Sequence, residues 1–467
     1  MKKISLLGIL VLGSLFLPGV AWAADAPALD TGDTAYMIIC TALVMLMTPG
    51  LALFYGGIVR KKNVLNTMMQ SFITIGIVSV QWVLIGYTLA FGTDHGGLIG
   101  SLEWIGLQGV GFDPNPIYSA TIPHLVFVLF QLMFAIITPA LITGSFAERM
   151  RFPAFMGFVL LWTTLIYDPL AHWVWADGGW LRNLGALDFA GGTVVHISSG
   201  ISGLMVAYVL GRRKGFGSEA MLPHQIPMTI LGAGLLWFGW FGFNAGSSLA
   251  ANGLAASAFL TTNTSAGAAA LSWVAAEWRH HGKPTALGAA TGAVAGLVAI
   301  TPAAGFVGPL SSIIIGLSAG VICYLAVAIL KKKLGYDDSL DAFGVHGIGG
   351  IFGALATGLF ASTVINPAGS DGLFFGNAAL LGTQLIAIIA TMSYAAVGTY
   401  VILKFLGMFM QLRVTAEEEE YGLDLTQHGE DAYSDLLAAA SMIQYQPEKR
   451  TVVTQKILNP SPNEITA

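Results

Sequence analysis

Two glycine-rich stretches with one histidine each stand out in this 467-residue sequence: FAGGTVVH at residues 189–196 and FGVHGIGG at residues 343–350. They lie in the fifth and the tenth of eleven apolar stretches, most of which are long enough to cross a bilayer once as a helix. Because five is an odd number, the second group of five must be inverted relative to the first. Inverted repeats around a site near the midplane are the architecture of transporters and channels.

The composition also favours a membrane protein. Hydrophobic residues make up 55% of the chain and charged residues 10%, whereas soluble domains carry about 25% charged residues. The 58 glycines are typical of closely packed membrane helices. We therefore predict an all-α polytopic membrane protein with eleven transmembrane helices, namely two inverted five-helix repeats plus a long eleventh helix. The apolar stretches are 35–56, 71–91, 122–147, 153–175, 190–210, 227–247, 255–278, 285–303, 307–330, 342–363 and 377–410.

The basic residues of the loops predict the orientation. Alternate loops contain Arg60, Lys61, Lys62, Arg149, Arg151, Arg212, Arg213, Lys214, Arg279, Lys283, Lys331, Lys332 and Lys333. The five intervening loops together contain only Arg182. By the positive-inside rule the N-terminus is outside and the C-terminus is in the cytoplasm, which suggests a multi-pass protein of the cell (inner) membrane.

The N-terminal segment 1–23 has the features of a cleaved signal peptide. Lys2 and Lys3 precede an apolar run, and Ala21-Trp22-Ala23 forms a small-x-small cleavage pattern. Cleavage would leave a membrane domain at 24–412 and a cytoplasmic tail at 413–467, on the same topology that the loops predict.

Several other classes of protein find no support. The net charge is −5 and no broad basic face is evident, which argues against nucleic-acid binding. Cys40 and Cys323 lie inside apolar runs and suggest no disulfide framework. Two helix-borne histidines could ligate haem or a transition metal, but no carboxylate or cysteine accompanies them at ligand spacing. We predict no cofactor, no metal and no enzymatic activity.

His196 and His346 are the only two of the nine histidines that lie well inside predicted helices. An ionisable group at membrane depth marks by default an ion, proton or substrate path, although each imidazole could instead simply hydrogen-bond between packed helices. His172 lies near the outer end of the fourth helix. The remaining six are expected to be solvated: His95, His124, His224, His280, His281 and His428.

Two aromatic clusters are interrupted by polar residues, at 130–134 and at 237–247. They could belong to an interfacial aromatic belt, or they could form a cation site, since a ring face attracts an ammonium group by ~0.5–2 kcal/mol. Asp188, at the start of the fifth helix, is expected to be a structural or electrostatic N-cap. Asp168 is left without a role.

Three runs resemble the ammonium transporter family (Amt/Mep/Rh), especially its bacterial members: FAGGTVVHI at 189–197, GWFGFNAGS at 239–247 and DAFGVHG at 341–347. The resemblance extends from about Tyr36 to Tyr433. It implies a homotrimer in a lipid bilayer that transports ammonium or ammonia and contributes to nitrogen uptake.

The resemblance also implies roles for individual residues. Trp175, Ser247 and Phe134 correspond to an outer recruitment site for ammonium, and Phe134 and Phe243 to a stacked phenyl gate. His196 and His346 correspond to twin histidines that line the pore and transfer protons. Three further residues correspond to an acidic residue near the recruitment site and to pore aromatics: Asp188, Phe130 and Trp240. The loop between Trp175 and Asp188 is one residue longer than in the bacterial pattern.

The tail resembles a docking segment for the nitrogen-sensing PII protein. The residues that carry this resemblance are Tyr421, Gly422, Asp424, His428, Gly429 and Glu430. An acidic run such as 417–420 is by default a solvated linker, whereas the resemblance implies a docking segment on the cytoplasmic face. The 34 residues after Tyr433 have no assigned role.

Physical chemistry favours conduction of a neutral species. Moving a bare ammonium ion into an apolar medium costs on the order of tens of kcal/mol, whereas a cation–π contact and a hydrogen bond return only ~1–4 kcal/mol. We expect deprotonation near the gate and passage of ammonia. Two alternatives remain, an ammonium sensor that signals to a PII-type partner and a bis-histidine membrane redox protein.

Overall fold

The computed structural model describes residues 28–433. The predicted signal peptide and the extension after Tyr433 lie outside the described residues. Within them, eleven helical segments follow the eleven predicted stretches in order. They are α1 Thr31–Ile58, α2 Lys61–Phe91, α3 His124–Phe146, α4 (Phe152–Trp162, Thr163–Tyr167 and Asp168–Trp175 in succession), α5 Gly192–Leu210, α6 Ile226–Gly246, α7 Gly253–His281, α8 Ala286–Ile300, α9 Pro309–Leu334, α10 Phe343–Phe360 and α11 Ala378–Phe409.

Nine of these segments are long and apolar enough to cross a membrane. The exceptions are α7, which has 29 residues but is rich in alanine and threonine, and α8, which has 15 residues. α8 ends at Ile300, two residues before Pro302, which has no backbone N–H to continue the helical hydrogen bonds. The carbonyl of Pro302 accepts a hydrogen bond from the Phe189 amide at 3.1 Å, so the end of α8 supports the start of α5.

The loops contain small additional elements. Between α2 and α3, β1 (Asp94–His95) pairs antiparallel with β2 (Ile99–Gly100), and β3 (Pro114–Asn115) with β4 (Ser119–Pro123). Short helices occupy Ile105–Leu107, Trp180–Asn183 and Leu373–Phe375. After α11 come α12 (Ala416–Tyr421) and a helical turn at Asp424–His428.

Close contacts between helices explain part of the high glycine content. A Cβ on Gly232 in α6 would lie 2.3 Å from the backbone nitrogen of Phe54 in α1, and one on Gly320 in α9 would lie 2.3 Å from the carbonyl oxygen of Ala269 in α7. Small residues allow such backbone contact, and van der Waals packing of this kind drives helix association in lipid.

The bundle has two ends. We call one the vestibule side, after the open cavity described below, and the other the tail side, after the C-terminal residues that pack there. The vestibule side contains the start of α1, the two strand pairs and the start of α5. The tail side contains the turn between α3 and α4, the start of α10 and the residues after α11. α5 therefore begins on the vestibule side and α10 on the tail side, as inverted repeats require.

Candidate functional site

The two predicted pore histidines meet in the centre of the bundle. The Nδ1 atoms of His196 and His346 lie 3.2 Å apart, and the ring centroids are 5.3 Å apart with only 17° between the planes. Both side chains are almost fully buried, at 1% and 4% exposure. Because one imidazole nitrogen must donate and the other accept, the two rings adopt complementary tautomers.

Each histidine lies in a π-helical turn, at Gly192–Ile197 in α5 and at Phe343–Gly347 in α10. π-Helical turns are rare and occur frequently at functional sites. A Cβ on Gly192 would lie 2.5 Å from the Pro302 ring, so glycine is required for α5 to begin against the end of α8.

A buried carboxylate precedes each histidine by eight residues and anchors the start of its helix. Asp188 accepts hydrogen bonds of 2.7–3.1 Å from four successive backbone amides, at 191–194. Asp338 accepts two such bonds, from Ala342 at 3.1 Å and Phe343 at 2.8 Å. Negative charge at a helix N-terminus is favourable. Asp338 is absent from the predicted site residues, although it precedes His346 by the same eight residues that separate Asp188 from His196.

Two stacked phenyl rings cover the histidine pair on the vestibule side. The centroids of Phe134 in α3 and Phe243 in α6 are 4.2 Å apart with 26° between the ring planes, and both side chains are buried. Phe243 also lies 6.2 Å from the His196 ring. Phe134 lines the cavity on the vestibule side and Phe243 lines the space that contains the histidines, so the stacked rings lie between the two.

An open cavity of about 200 Å³ lies above the phenyl rings. Its walls are formed mainly by aromatic side chains with a few polar groups. They are Phe91, Ile117, Tyr118, Phe127, Phe130, Gln131, Phe134, Trp175, Arg182, Phe189, Ser247 and Leu249. The structure thus brings together four of the residues predicted for the recruitment site and the outer aromatics, and it adds Arg182.

Trp175 and Ser247 are held in this cavity by backbone contacts. The indole Nε1 of Trp175 donates to the carbonyl of Asp188 at 3.0 Å, and its ring meets Phe134 edge to face at 5.8 Å. The hydroxyl of Ser247 donates to the carbonyl of Phe243 at 2.9 Å. Because its proton is used in this way, the Ser247 oxygen presents only acceptor lone pairs to the cavity.

Below the phenyl rings the lumen is narrow and apolar. Its free volume is about 10 Å³, close to the smallest space that holds one water molecule. Its lining residues are Met47, Leu51, Phe54, Ile137, Leu141, Val195, His196, Leu236, Trp240, Phe243, Val294 and His346. The two imidazoles are the only ionisable groups among them. The Trp240 ring is stacked 5.4 Å from that of His196, and its Nε1 donates to Thr301 at 2.9 Å.

A buried cluster of charges joins four loops on the tail side. The carboxylate of Glu148 binds Arg60 at 2.6 Å and Arg213 at 3.2 Å, and Arg213 also binds Asp337 at 2.8 Å. Burial alone would raise the pKa of Glu148, but Arg213 and Arg60 outweigh it and hold this pKa below its usual value. The sequence offered no signal for this cluster beyond the basic residues of the loops.

The tail packs against the start of α2. The amide of Leu423 donates to the Asn63 side chain at 2.9 Å, and Asp424 accepts from the Asn66 amide at 2.8 Å. His428 contacts the same Asn66 side chain at 3.1 Å. Burial raises the pKa of Asp424 to about 6. Burial therefore disfavours the charged form of this carboxyl, whereas its hydrogen bonds from backbone amides at the start of α2 favour that form.

Glu419 fastens the tail to the loop after α5. One of its oxygens accepts from the Lys214 amide at 2.6 Å and the other from Arg413 at 2.7 Å. The side chain of Lys62 donates to the Glu419 carbonyl at 2.9 Å. The acidic run is thus docked on the loops, and the expectation of a solvated linker is wrong for Glu419, whose side chain is 1% exposed.

The histidines outside the lumen differ in part from expectation. The prediction that His124 is solvated is wrong: it begins α3, is buried, and contacts the Tyr87 hydroxyl at 2.5 Å. His172, also buried, contacts Asp94 at 2.8 Å and the carbonyl of Ala90 at 3.0 Å. A histidine next to a loop is still buried when tertiary packing covers it.

Comparison with known proteins agrees with this architecture. Residues 35–433 match the model of the Ammonium Transporter Family. The chain belongs to this family. The ammonium transporter of Bacillus subtilis (strain 168) is 59% identical over 407 residues, which are 87% of this chain and 100% of that protein. The ammonium transporter of Aquifex aeolicus (strain VF5) is 49% identical over 439 residues, 93% of this chain and 100% of that protein.

Solved structures of the family share the fold. Mep2 of Candida albicans superposes with a TM-score of 0.79 at 35% identity, covering 87% of this chain and 91% of that one. A structure described as a sensor Amt protein superposes with a TM-score of 0.78 at 29% identity, covering 85% and 98%. The protein is thus an all-α, multi-pass membrane protein of the ammonium transporter family, and its residues 28–433 contain eleven long helical segments in two inverted repeats plus a final helix.

Proposed function

We propose that the protein takes up ammonium by recruiting the cation in the vestibule, removing its proton near the phenyl rings and conducting ammonia past the two histidines. The observation that carries this proposal is the lumen itself, a space of about 10 Å³ whose only ionisable lining groups are His196 and His346. Relatives described as ammonium transporters at up to 59% identity support the choice of substrate.

The vestibule is suited to concentrating a cation rather than to passing it on. The Trp175 ring offers a π face and Ser247 an acceptor oxygen, which together return ~1–4 kcal/mol. Dehydrating a bare ammonium ion costs on the order of tens of kcal/mol. The ion therefore stops at Phe134 and Phe243, and only the neutral base continues.

The histidine pair provides both hydrogen bonds and a route for the proton. Ammonia can accept from one imidazole and donate to the other as it passes. The proton either returns to the outside or crosses along the Nδ1 contact, and in the second case uptake is electrogenic. Potassium has no proton to release, and the lumen lacks the carbonyl or carboxylate rings that would replace its hydration shell.

The proposed membrane topology places the vestibule side outside and the tail side in the cytoplasm of the inner membrane. The distribution of basic loop residues supports it. Assembly as a homotrimer rests on the family resemblance alone.

The tail is proposed as the contact surface for a PII-type protein. Its docking against α2 and the loop after α5 would couple a partner bound at Tyr421–Glu430 to the tail side of the pore. A sensor role remains the second candidate, favoured by the similarity to the sensor Amt structure. A bis-histidine haem protein is disfavoured, because two imidazoles whose Nδ1 atoms are 3.2 Å apart leave no room for a macrocycle between them.

Reconstitution into proteoliposomes tests the proposal. We expect saturable uptake of methylammonium that ammonium inhibits and potassium does not, together with a current if the proton crosses. A protein that binds ammonium but gives neither uptake nor current would contradict transport and favour the sensor. An absorbance band of haem in the purified protein would favour the redox alternative.

A further inference from the structure

Arg182 is the one basic residue in the five loops that the charge pattern places outside. The structure places this residue in the wall of the vestibule, next to Trp175 and Ser247. A positive charge is unexpected in a cavity that collects cations, and neither the fold nor the proposed mechanism requires it.

The guanidinium of Arg182 is held in place by one contact to the cation site. Its Nη1 donates to the carbonyl oxygen of Trp175 at 2.9 Å, while the indole of the same Trp175 donates to the carbonyl of Asp188. The short helix Trp180–Asn183 presents Arg182 to the cavity. The charge is therefore fixed beside the ring that offers its π face to ammonium.

Nearby carboxylates do not neutralise this charge directly. Among residues 28–433, Arg182 takes part in no ion pair. Burial raises the pKa of the neighbouring Tyr118 hydroxyl, and the carboxylates of Asp177 and Glu103 are nonetheless close enough to raise this pKa further. The side chain is exposed to the vestibule. Its field thus reaches the cation site through water, where screening by salt is effective.

We infer that Arg182 sets the affinity of the vestibule for its cation, by weakening binding through charge repulsion. This inference rests on the proposed function and specifies one residue of the same site. A unit charge a few ångströms from a bound cation in water changes its affinity by about two- to fivefold. Weaker binding keeps the vestibule unsaturated up to higher ammonium concentrations. Tighter binding of the cation in this ground state would lower the KM without increasing the maximal rate of transport.

The test compares three variants in proteoliposomes by the apparent KM and the maximal rate of methylammonium uptake. Arg182→Gln removes the charge but keeps an N–H donor for the Trp175 carbonyl, and Arg182→Lys keeps both. Lys283→Gln removes an exposed charge from the other side of the bundle. We expect Arg182→Gln to lower the KM about threefold without increasing the maximal rate. Arg182→Lys should retain most of the wild-type KM, and Lys283→Gln should match the wild type.

Ionic strength provides the second readout. At about 0.01 M salt the Debye length is ~30 Å and at about 1 M it is ~3 Å, so the KM ratio between wild type and Arg182→Gln should approach one at high salt. An unchanged or higher KM in Arg182→Gln overturns the inference and shows that the charge has no role in affinity. Equal KM values for Arg182→Lys and Arg182→Gln also overturn it, because the role of Arg182 would then be purely positional. A Lys283→Gln effect of the same size also overturns it. A wild type without uptake would instead refute the proposed function.

Discussion

The imidazoles of His196 and His346 are in direct contact, with their Nδ1 atoms 3.2 Å apart across the interface between α5 and α10. The two residues are 150 positions apart in the chain, and each comes from one of the inverted repeats. A single hydrogen bond therefore connects the repeats at the centre of the lumen.

Replacing either histidine should interrupt this contact. We expect His196→Ala and His346→Ala each to reduce charge-coupled methylammonium uptake by about tenfold or more, since a lost hydrogen bond of ~1 kcal/mol combines with the loss of a proton carrier. Uptake and current in proteoliposomes measure the effect. His281→Ala, at the exposed end of α7, is the control. Unchanged currents and unchanged potassium exclusion in both pore variants would refute the twin-histidine mechanism.

The phenyl pair should control which species enter the lumen. We expect Phe243→Ala to open the constriction to water and to allow potassium to inhibit or accompany uptake, because hydrophobic constrictions exclude ions by remaining dry. Potassium currents and competition assays measure this change. Phe241→Ala serves as a control on the same helix, since Phe241 stacks on Phe259 at 3.9 Å and does not line the lumen. Full potassium exclusion in Phe243→Ala contradicts the gate.

The buried charge cluster predicts a pH-dependent stability. In Glu148→Gln, Arg60 and Arg213 lose their shared counter-charge, so the free energy of unfolding at neutral pH should fall by about 3 kcal/mol. Because the pKa of Glu148 is lowered in the folded protein, its contribution is present above the unfolded pKa and is lost as the pH falls through the folded value.

Thermal unfolding in detergent from pH 7.5 down to about pH 3 measures this dependence, because the loss begins only below the unfolded pKa of about 4.3. The difference between wild type and Glu148→Gln should shrink towards acidic pH, and the exposed Glu219→Gln should behave as wild type throughout. A difference that grows on acidification would show the opposite sign of the pKa shift.

The tail should depend on Gly422 for docking. This residue has φ +106°, and a Cβ there would lie 2.5 Å from the Cβ and carbonyl oxygen of Lys62. We expect Gly422→Ala to release the segment 416–430, detected as faster hydrogen exchange and proteolysis, and to weaken inhibition by a PII-type protein.

The matched control is Gly429→Ala, where φ is +70° but no atom lies within 4 Å of the added Cβ. Its cost is limited to backbone strain of ~1–2 kcal/mol. Equal protection of the tail in Gly422→Ala and wild type would show that the contact with Lys62 does not hold it.

Much of the architecture followed from local patterns in the chain. All eleven helices occur where the apolar stretches predicted them, because a helix in lipid must satisfy its own backbone and therefore requires a continuous apolar run. Their ends were less predictable: α2 begins at Lys61, ten residues before the predicted stretch, and the docked tail contacts the buried polar residues Asn63 and Asn66 there.

The sequence by itself thus determined the number and order of the helices, the family motifs and the two histidines, all of which are properties of short segments. Only the tertiary structure decided that the Asp338 carboxylate accepts from the amides at the start of α10, that His124 is buried, that the cluster around Glu148 joins four loops and that Arg182 lines the vestibule. These relationships depend on contacts between side chains from distant segments. The spacing of residues along one helix does not specify which other segments pack against that helix.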